Sequence, residues 1–338
     1  FMNTDPRLWP REHGAYAQLA FPLVTGLALA PPSVAALAFG VAAVLLFLAN
    51  EPVAILLGVR GKRLQEQLGA PARRRAGRLL GASAVLGGSG LFLGWPNIWP
   101  EILPPLLAGL LLVPVARAGR QKSLTGELLV LTAFSTLVLP LAAASGADPT
   151  RALLAAGVWW LSFFLGTLEV HAIKARVMKK PRYRWTRWGS PLAVVLAVAL
   201  VLWTALGQAS PILRSLAGAS ADGAGSATHW EWLLELNPYL APGAAALLPP
   251  ALAILIVSLL RVHPRHLKRV GWTLVGANTL TLVLLLQGEA RRVRAGVRFR
   301  GGARSPNSPA SSGMLVRDPD SSWRRPGASG RFFRPGPR

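Results

Sequence analysis

Apolar residues run through this chain in long blocks separated by short polar and basic stretches. Nine blocks reach spanning or near-spanning length, at roughly 14–30, 33–57, 79–95, 98–116, 127–145, 152–170, 191–206, 238–260 and 270–287. A helix crosses a bilayer in about 17–25 residues. In lipid the backbone must satisfy its own hydrogen bonds, so such blocks predict helices. Their weak period-two alternation speaks against a barrel. The pattern therefore predicts an all-α, polytopic helical membrane protein with about nine transmembrane helices in residues 1–288.

The remainder, 289–338, reads differently. It holds twelve Arg, no Lys and three acids among many Pro, Gly and Ser, with no apolar period. That composition predicts a disordered basic tail. A helix capping pattern at Thr228-His229-Trp230-Glu231 predicts a short interfacial helix before the eighth span. Ala28-Leu29-Ala30 resembles a signal-peptide cleavage site, but Pro31 follows it and eight further blocks come after, so a retained first helix is expected.

Composition agrees with the pattern. Of the 338 residues, 52% are hydrophobic and only 15% charged, and mean hydropathy is +0.40. Soluble domains carry about a quarter charged residues. The chain has no cysteine, which excludes disulfides, thiolate metal sites and cysteine nucleophiles. The richness in Ala, Gly, Pro and Arg is that of a GC-rich bacterial genome.

A net charge of +23 invites a nucleic-acid reading until the cations are placed. Counted from a cytoplasmic N-terminus, 23 Lys and Arg fall between the blocks on one side and only Arg151 and Arg214 on the other. Seven of the 23 follow the second block (Arg60 to Arg78) and seven follow the sixth (Lys174 to Arg187). This is a positive-inside pattern. It predicts a bacterial cytoplasmic membrane protein with its N-terminus in the cytoplasm, and no nucleic-acid partner. The two seven-charge segments are expected to attract anionic lipid headgroups. Nine spans would put the basic tail on the outer side, which conflicts with its charge: either a long tail crosses despite its charge, or the count is off by one, or the tail is a frame-shifted or non-native terminus.

Candidate chemistry is thin. Acids near or inside spans are costly and need a reason. Glu12, Glu51, Glu127 and Glu169 all map to the basic side, together with His13, His171, His263 and His266. In Leu48-Ala49-Asn50-Glu51-Pro52, the proline is expected to kink or unwind the second helix beside Asn50 and Glu51. In the sixth helix Glu169 and Arg176 share one face, and His171 and Lys174 share another. One cytoplasmic-side polar cavity is predicted, lined by Glu12, His13, Asn50, Glu51, Glu169 and His171. Arg11 and Arg176 would supply countercharge, and Lys174 and Arg176 would take an anionic end of a small-molecule or lipid ligand. His263-Pro264-Arg265-His266 has two imidazoles but no third ligand nearby, and reads as a solvated loop. Gly87-Gly88-Ser89-Gly90 reads as close helix packing.

The string Pro10-Arg11-Glu12-His13-Gly14-Ala15-Tyr16-Ala17, leading into the first helix, resembles the Pro-Lys/Arg-Glu/Gln-His-Gly-Ala-Trp start of the YwiC-like family of bacterial membrane proteins. The Arg-rich exit of the sixth helix and Lys268-Arg269-Val270-Gly271-Trp272 look similar too, so that the resemblance covers about residues 8–287. It implies a membrane protein and carries over no activity. A looser architectural resemblance is to UbiA-type prenyltransferases, nine-helix membrane enzymes with acid-rich motifs after helices 2 and 6. It places Asn50, Glu51 and Glu169 at corresponding positions. In that family several Asp hold Mg²⁺ against a prenyl diphosphate. Here Ala54 and Gly58, and later His171, Ile173 and Lys174, stand where further acids belong. Three functions are thus carried forward. The first is a protein binding or transporting a small anionic or amphiphilic solute. The second is a UbiA-like enzyme acting on an isoprenoid or lipid-linked substrate, the one case that implies a cofactor, Mg²⁺. The third is a membrane assembly or scaffold protein.

Overall fold

The computed structural model describes residues 6–10, 13–177, 192, 195, 198–199, 231–260 and 266–302. The chain divides into two compact units, Phe1–Val293 and Arg294–Arg338, and the contacts below belong to the first. Every regular element among the described residues is helical. A short 3-10 turn, Pro6–Leu8, precedes α1 (His13–Ala28), α2 (Val34–Leu56), α3 (Lys62–Leu93), α4 (Trp99–Arg117), α5 (Leu124–Ser135), α6 (Val138–Ala144), α7 (Pro149–Val177), α8 (Glu231–Leu259) and α9 (Leu267–Gly302).

Six stretches among these are long and apolar enough to cross a bilayer: Val34–Leu56, Lys62–Leu93, Trp99–Arg117, Leu124–Ala144, Pro149–Ala175 and Leu267–Gly288. The protein is therefore a multi-pass, all-helical membrane protein. The first block forms the 16-residue α1, and the eighth lies within α8. The seventh, 191–206, falls mostly outside the described residues, so a count of nine is an expectation that extends beyond them.

Burial sorts the helices into inner and outer. In α7, 61% of the spanning window is buried, against 11% in α3 and α4, so α7 is central and the other two are peripheral. Trp159 of α7 is fully buried, stacks on Phe21 and Phe163, and donates its indole N–H to Thr25 Oγ1 at 2.9 Å. Around it lie Leu131, Val138 and Ala156. A second cluster joins Phe39 and Phe47 of α2 to Leu19, Ile98 and Leu141. Outside, Leu106, Leu107, Leu110 and Leu111 of α4 and Val85 and Phe92 of α3 stay exposed. So large an apolar surface suits lipid and not water.

Small residues let α2 and α3 pack closely, as the sequence predicts. Ser83 Oγ donates to the Ala42 carbonyl at 2.9 Å. A Cβ on Gly90 would come within 2.9 Å of Phe39 Cδ2 and 3.1 Å of the Ala35 carbonyl oxygen. Ser33 caps α2 by accepting from Ala36 N at 3.1 Å, and its hydroxyl donates to the Ala144 carbonyl at 2.7 Å. One side chain thus starts α2 and ties it to the end of α6.

The structure departs from the sequence expectations in five places. Helix α9 continues to Gly302, so residues 289–302 of the expected disordered tail are helical. Helix α2 does not unwind at Pro52, the backbone staying helical to Leu56. A proline removes one donor, from the carbonyl four residues back, and a helix can absorb that loss. The basic segment after α2, expected as a loop, is the first half of α3. At 32 residues α3 is about 48 Å long, well beyond a hydrocarbon core of about 30 Å. The fifth block is two helices broken at Thr136–Leu137. There Thr132, Ser135 and Thr136 hydroxyls donate to the carbonyls four residues back, and Leu137 and Leu139 amides switch to carbonyls three residues back. Pro140 leaves the Thr136 carbonyl without its usual partner, and these back-bonds favour a bend. Finally, among the described residues the helix from Glu231 runs unbroken into the eighth span, while Thr228, His229 and Trp230 of the expected interfacial helix lie outside them.

Candidate functional site

Among the described residues, three polar clusters carry the buried ionisable groups. The first closes the α2–α3 hairpin. Glu51, with its side chain 6% exposed, accepts from Arg60 Nε at 2.9 Å and Arg60 Nη2 at 2.6 Å, one bond to each carboxylate oxygen. The local fold makes this possible. Helix α2 ends at Leu56, Gly58 and Gly61 take φ values of +70° and +99°, and Gln65 Nε2 donates back to the Leu56 carbonyl at 2.8 Å. Positive φ is open to glycine at little cost. A planar guanidinium matches a carboxylate with two parallel bonds. Asn50, one residue earlier, is exposed and points elsewhere.

The second cluster joins α5 and α7. Glu127 sits in the first turn of α5, where a carboxylate suits the positive end of the helix dipole, and Ser123 caps that turn. His171 Nε2 lies 2.9 Å from Glu127 Oε2, and Lys174 Nζ lies 3.9 Å from Oε1. His171 is 3% exposed, while Glu127 and Lys174 are partly open. The imidazole Nδ1 is buried and has no hydrogen-bond partner among the described residues. One carboxylate thus organises two cationic or potentially cationic side chains spaced i, i+3 on α7.

The third cluster lies on the other side of α7. Glu169 is fully buried and accepts from Ser258 Oγ of α8 at 2.8 Å. Two turns earlier, Ser162 donates to Asn278 Oδ1 of α9. Thr281 Oγ1 of α9 donates to the Ala246 carbonyl of α8 at 2.8 Å. These buried bonds hold α7, α8 and α9 together.

Of the predicted site residues, His171 and Lys174 are brought together, through Glu127. Glu51 and Asn50 belong to the α2–α3 hairpin, and Glu169 faces α8. Arg11 and Glu12 lie outside the described residues; His13 and Arg176 are described in backbone only. The countercharge of Glu51 is Arg60, which the sequence reading counted only as an anchoring cation. Its signal was available: nine residues with a two-glycine turn fold a cation back onto the acid. Ser258 and Asn278 were missed; Asn278, a lone amide inside an apolar block, was the visible clue.

Among the described residues no group of three or more His, Asp or Glu is arranged to hold a metal ion. The UbiA comparison would turn Glu51 toward Mg²⁺. Both of its oxygens already face a guanidinium, so this donor set does not fit that role. A cavity of about 470 Å³ opens at the opposite end, between Pro96–Glu101 and the α6–α7 turn around Ala143 to Ala152. Glu101 is the one ionisable residue lining it. It is some 28 Å along α7 from His171, which leaves the α5–α7 cluster as the richer chemical site.

Residues 9–143 match the YwiC-like protein family, a shorter stretch than the 8–287 suggested by the sequence alone. The match takes in α1 to α6, with Glu51, Arg60 and Glu127, whereas Glu169, His171 and Lys174 follow it. No curated protein and no solved structure matches the chain.

Proposed function

We propose that this protein binds, and moves, a small anionic or amphiphilic solute at the basic end of its helix bundle, and that this end faces the cytoplasm of a bacterial inner membrane. The observation that carries the proposal is the Glu127–His171–Lys174 cluster. Ionisable groups within or beside spans mark ligand paths by default, because lipid tolerates them poorly.

The charges favour an anionic or hydrogen-bonding ligand. Glu127 carries one negative charge opposite Lys174, and His171 adds a further hydrogen-bonding group. Lys174 offers three donors, and its 3.9 Å approach to Glu127 is too long to be a hydrogen bond. The 23 basic residues assigned to this side would concentrate anions near the mouth. Glu51, held by Arg60, supports the scaffold in this reading. Glu169 supports the α7–α8 contact.

The test is native mass spectrometry of the gently purified protein to identify a co-purified metabolite or lipid, followed by Lys174→Gln and Glu127→Gln. The expected result is loss of that ligand in Lys174→Gln and weakened retention in Glu127→Gln. Retention at the wild-type level in both variants would overturn the proposal.

A further inference from the structure

The basic stretch after α2 is a helical ledge with two distinct faces. Leu68, Ala72 and Ala76 recur every four residues and are buried, the first two against Leu8 and Ile55. At about 100° per residue, Arg63, Arg74 and Arg78 fall within about 60° of the direction opposite Ala72, with Arg73 on the flank. All four are exposed. Glu66 is the one acid between Lys62 and Arg78.

The ledge meets the bilayer at Leu79, where the apolar half of α3 begins. Arg73 to Arg78 lie within about 9 Å of that point along the axis. The headgroup layer on one side of a bilayer is about 5–7 Å deep. A second element marks the same level. Leu8 is buried in the α2–α3 seam, and the neighbouring Trp9, half-exposed, lies under the Arg75 guanidinium at 4.0 Å from the ring centroid. Indole rings favour the membrane interface.

We propose that Arg74 and Arg78, flanked by Arg73 and Trp9, form a binding site for the phosphodiester headgroup of an anionic glycerophospholipid. Residues four apart are neighbours on one helix face, so two guanidinium forks can bracket one phosphate. Arginine suits this better than lysine because its donors are planar and paired. The acyl chains would lie along the exposed Val85 and Phe92 surface of α3.

The experiment reconstitutes the whole chain into equimolar phosphatidylcholine and phosphatidylglycerol and measures by native mass spectrometry which lipid stays bound. Each basic residue near an anionic surface is worth about a five-fold gain in binding. Arg74→Gln with Arg78→Gln should therefore lower phosphatidylglycerol enrichment by about ten-fold or more. Arg74→Lys with Arg78→Lys should fold equally well and keep part of the enrichment, while Arg117→Gln with Arg120→Gln should leave it unchanged. Raised salt should weaken binding in the wild type. Enrichment unchanged in the double Gln variant would overturn the site. So would displacement of the bound lipid by free glycerol phosphate, which would point to a soluble anion instead.

Discussion

Removing Arg60 tests whether the α2–α3 hairpin depends on its buried ion pair. In Arg60→Ala the Glu51 carboxylate, 6% exposed, keeps its burial and loses both guanidinium bonds. Breaking a buried pair from one side typically costs about 3–5 kcal/mol, because an uncompensated charge remains. Arg60 is 29% exposed, so water partly replaces it, and a loss of about 2–3 kcal/mol is the expected result. Glu51→Gln removes the charge but keeps an acceptor, and should cost about 1–2 kcal/mol. The double variant Glu51→Met, Arg60→Met replaces the pair by apolar side chains and should be close to wild type. The assay is reversible unfolding in mixed micelles, monitored by tryptophan fluorescence, with a double-mutant cycle that combines Glu51→Gln and Arg60→Ala. The double variant should be more stable than Arg60→Ala. Independent, additive effects of the two changes, or an Arg60→Ala loss below about 0.5 kcal/mol, would show that the pair does not clamp the hairpin.

Other consequences can be checked separately. Gly90→Val should destabilise the α2–α3 packing by about 1–3 kcal/mol, since its side chain must displace Phe39, and the loss should appear in the same unfolding assay. Gly77→Ala, where a Cβ meets open space, should instead gain about 0.5–1 kcal/mol. Asn278→Leu should cost about 0.6–1.7 kcal/mol by removing the acceptor of Ser162, a magnitude typical of hydrogen bonds between membrane helices. Cysteines introduced at Arg74 and Ala147 should label from opposite sides of the membrane, Arg74 from the cytoplasm; labelling of both from one side would refute the proposed orientation.

The class of fold was legible because apolar block length has one physical reading in lipid. The limits of the blocks were not. Hydropathy marks where a helix enters the hydrocarbon, and α3 begins 17 residues before that point because Lys62–Gly77 can be helical in water. Pattern alone cannot separate a basic loop from a basic amphipathic helix until a partner for Leu68 and Ala72 is known. The partners are Ile55 of α2 and Leu8, the latter some sixty residues away in the chain. The break at Thr136 was hidden for the opposite reason. Its residues are apolar enough to count as span, and only their hydroxyl bonds to the preceding turn reveal the interruption.

The candidate site shows how linear proximity misleads on a helix. Glu169 and His171 are two residues apart, so their side chains diverge by about 200°. One must face away from whatever the other faces. The structure puts α8 and Ser258 on the first side and α5 with Glu127 on the second. Placing both on one cavity wall was therefore at odds with the helical period already used to pair His171 with Lys174. Applied consistently, that period makes α7 a partition between two polar interfaces. The carboxylate facing α8 is fully buried and accepts from Ser258, and its burial closes it to a solute. The carboxylate facing α5 is partly open and meets a histidine and a lysine, groups whose charge and hydrogen bonds a solute can exchange. It is the difference in exposure, together with the histidine and lysine beside Glu127, more than the presence of acids as such, that supports placing the proposed site on the α5 side.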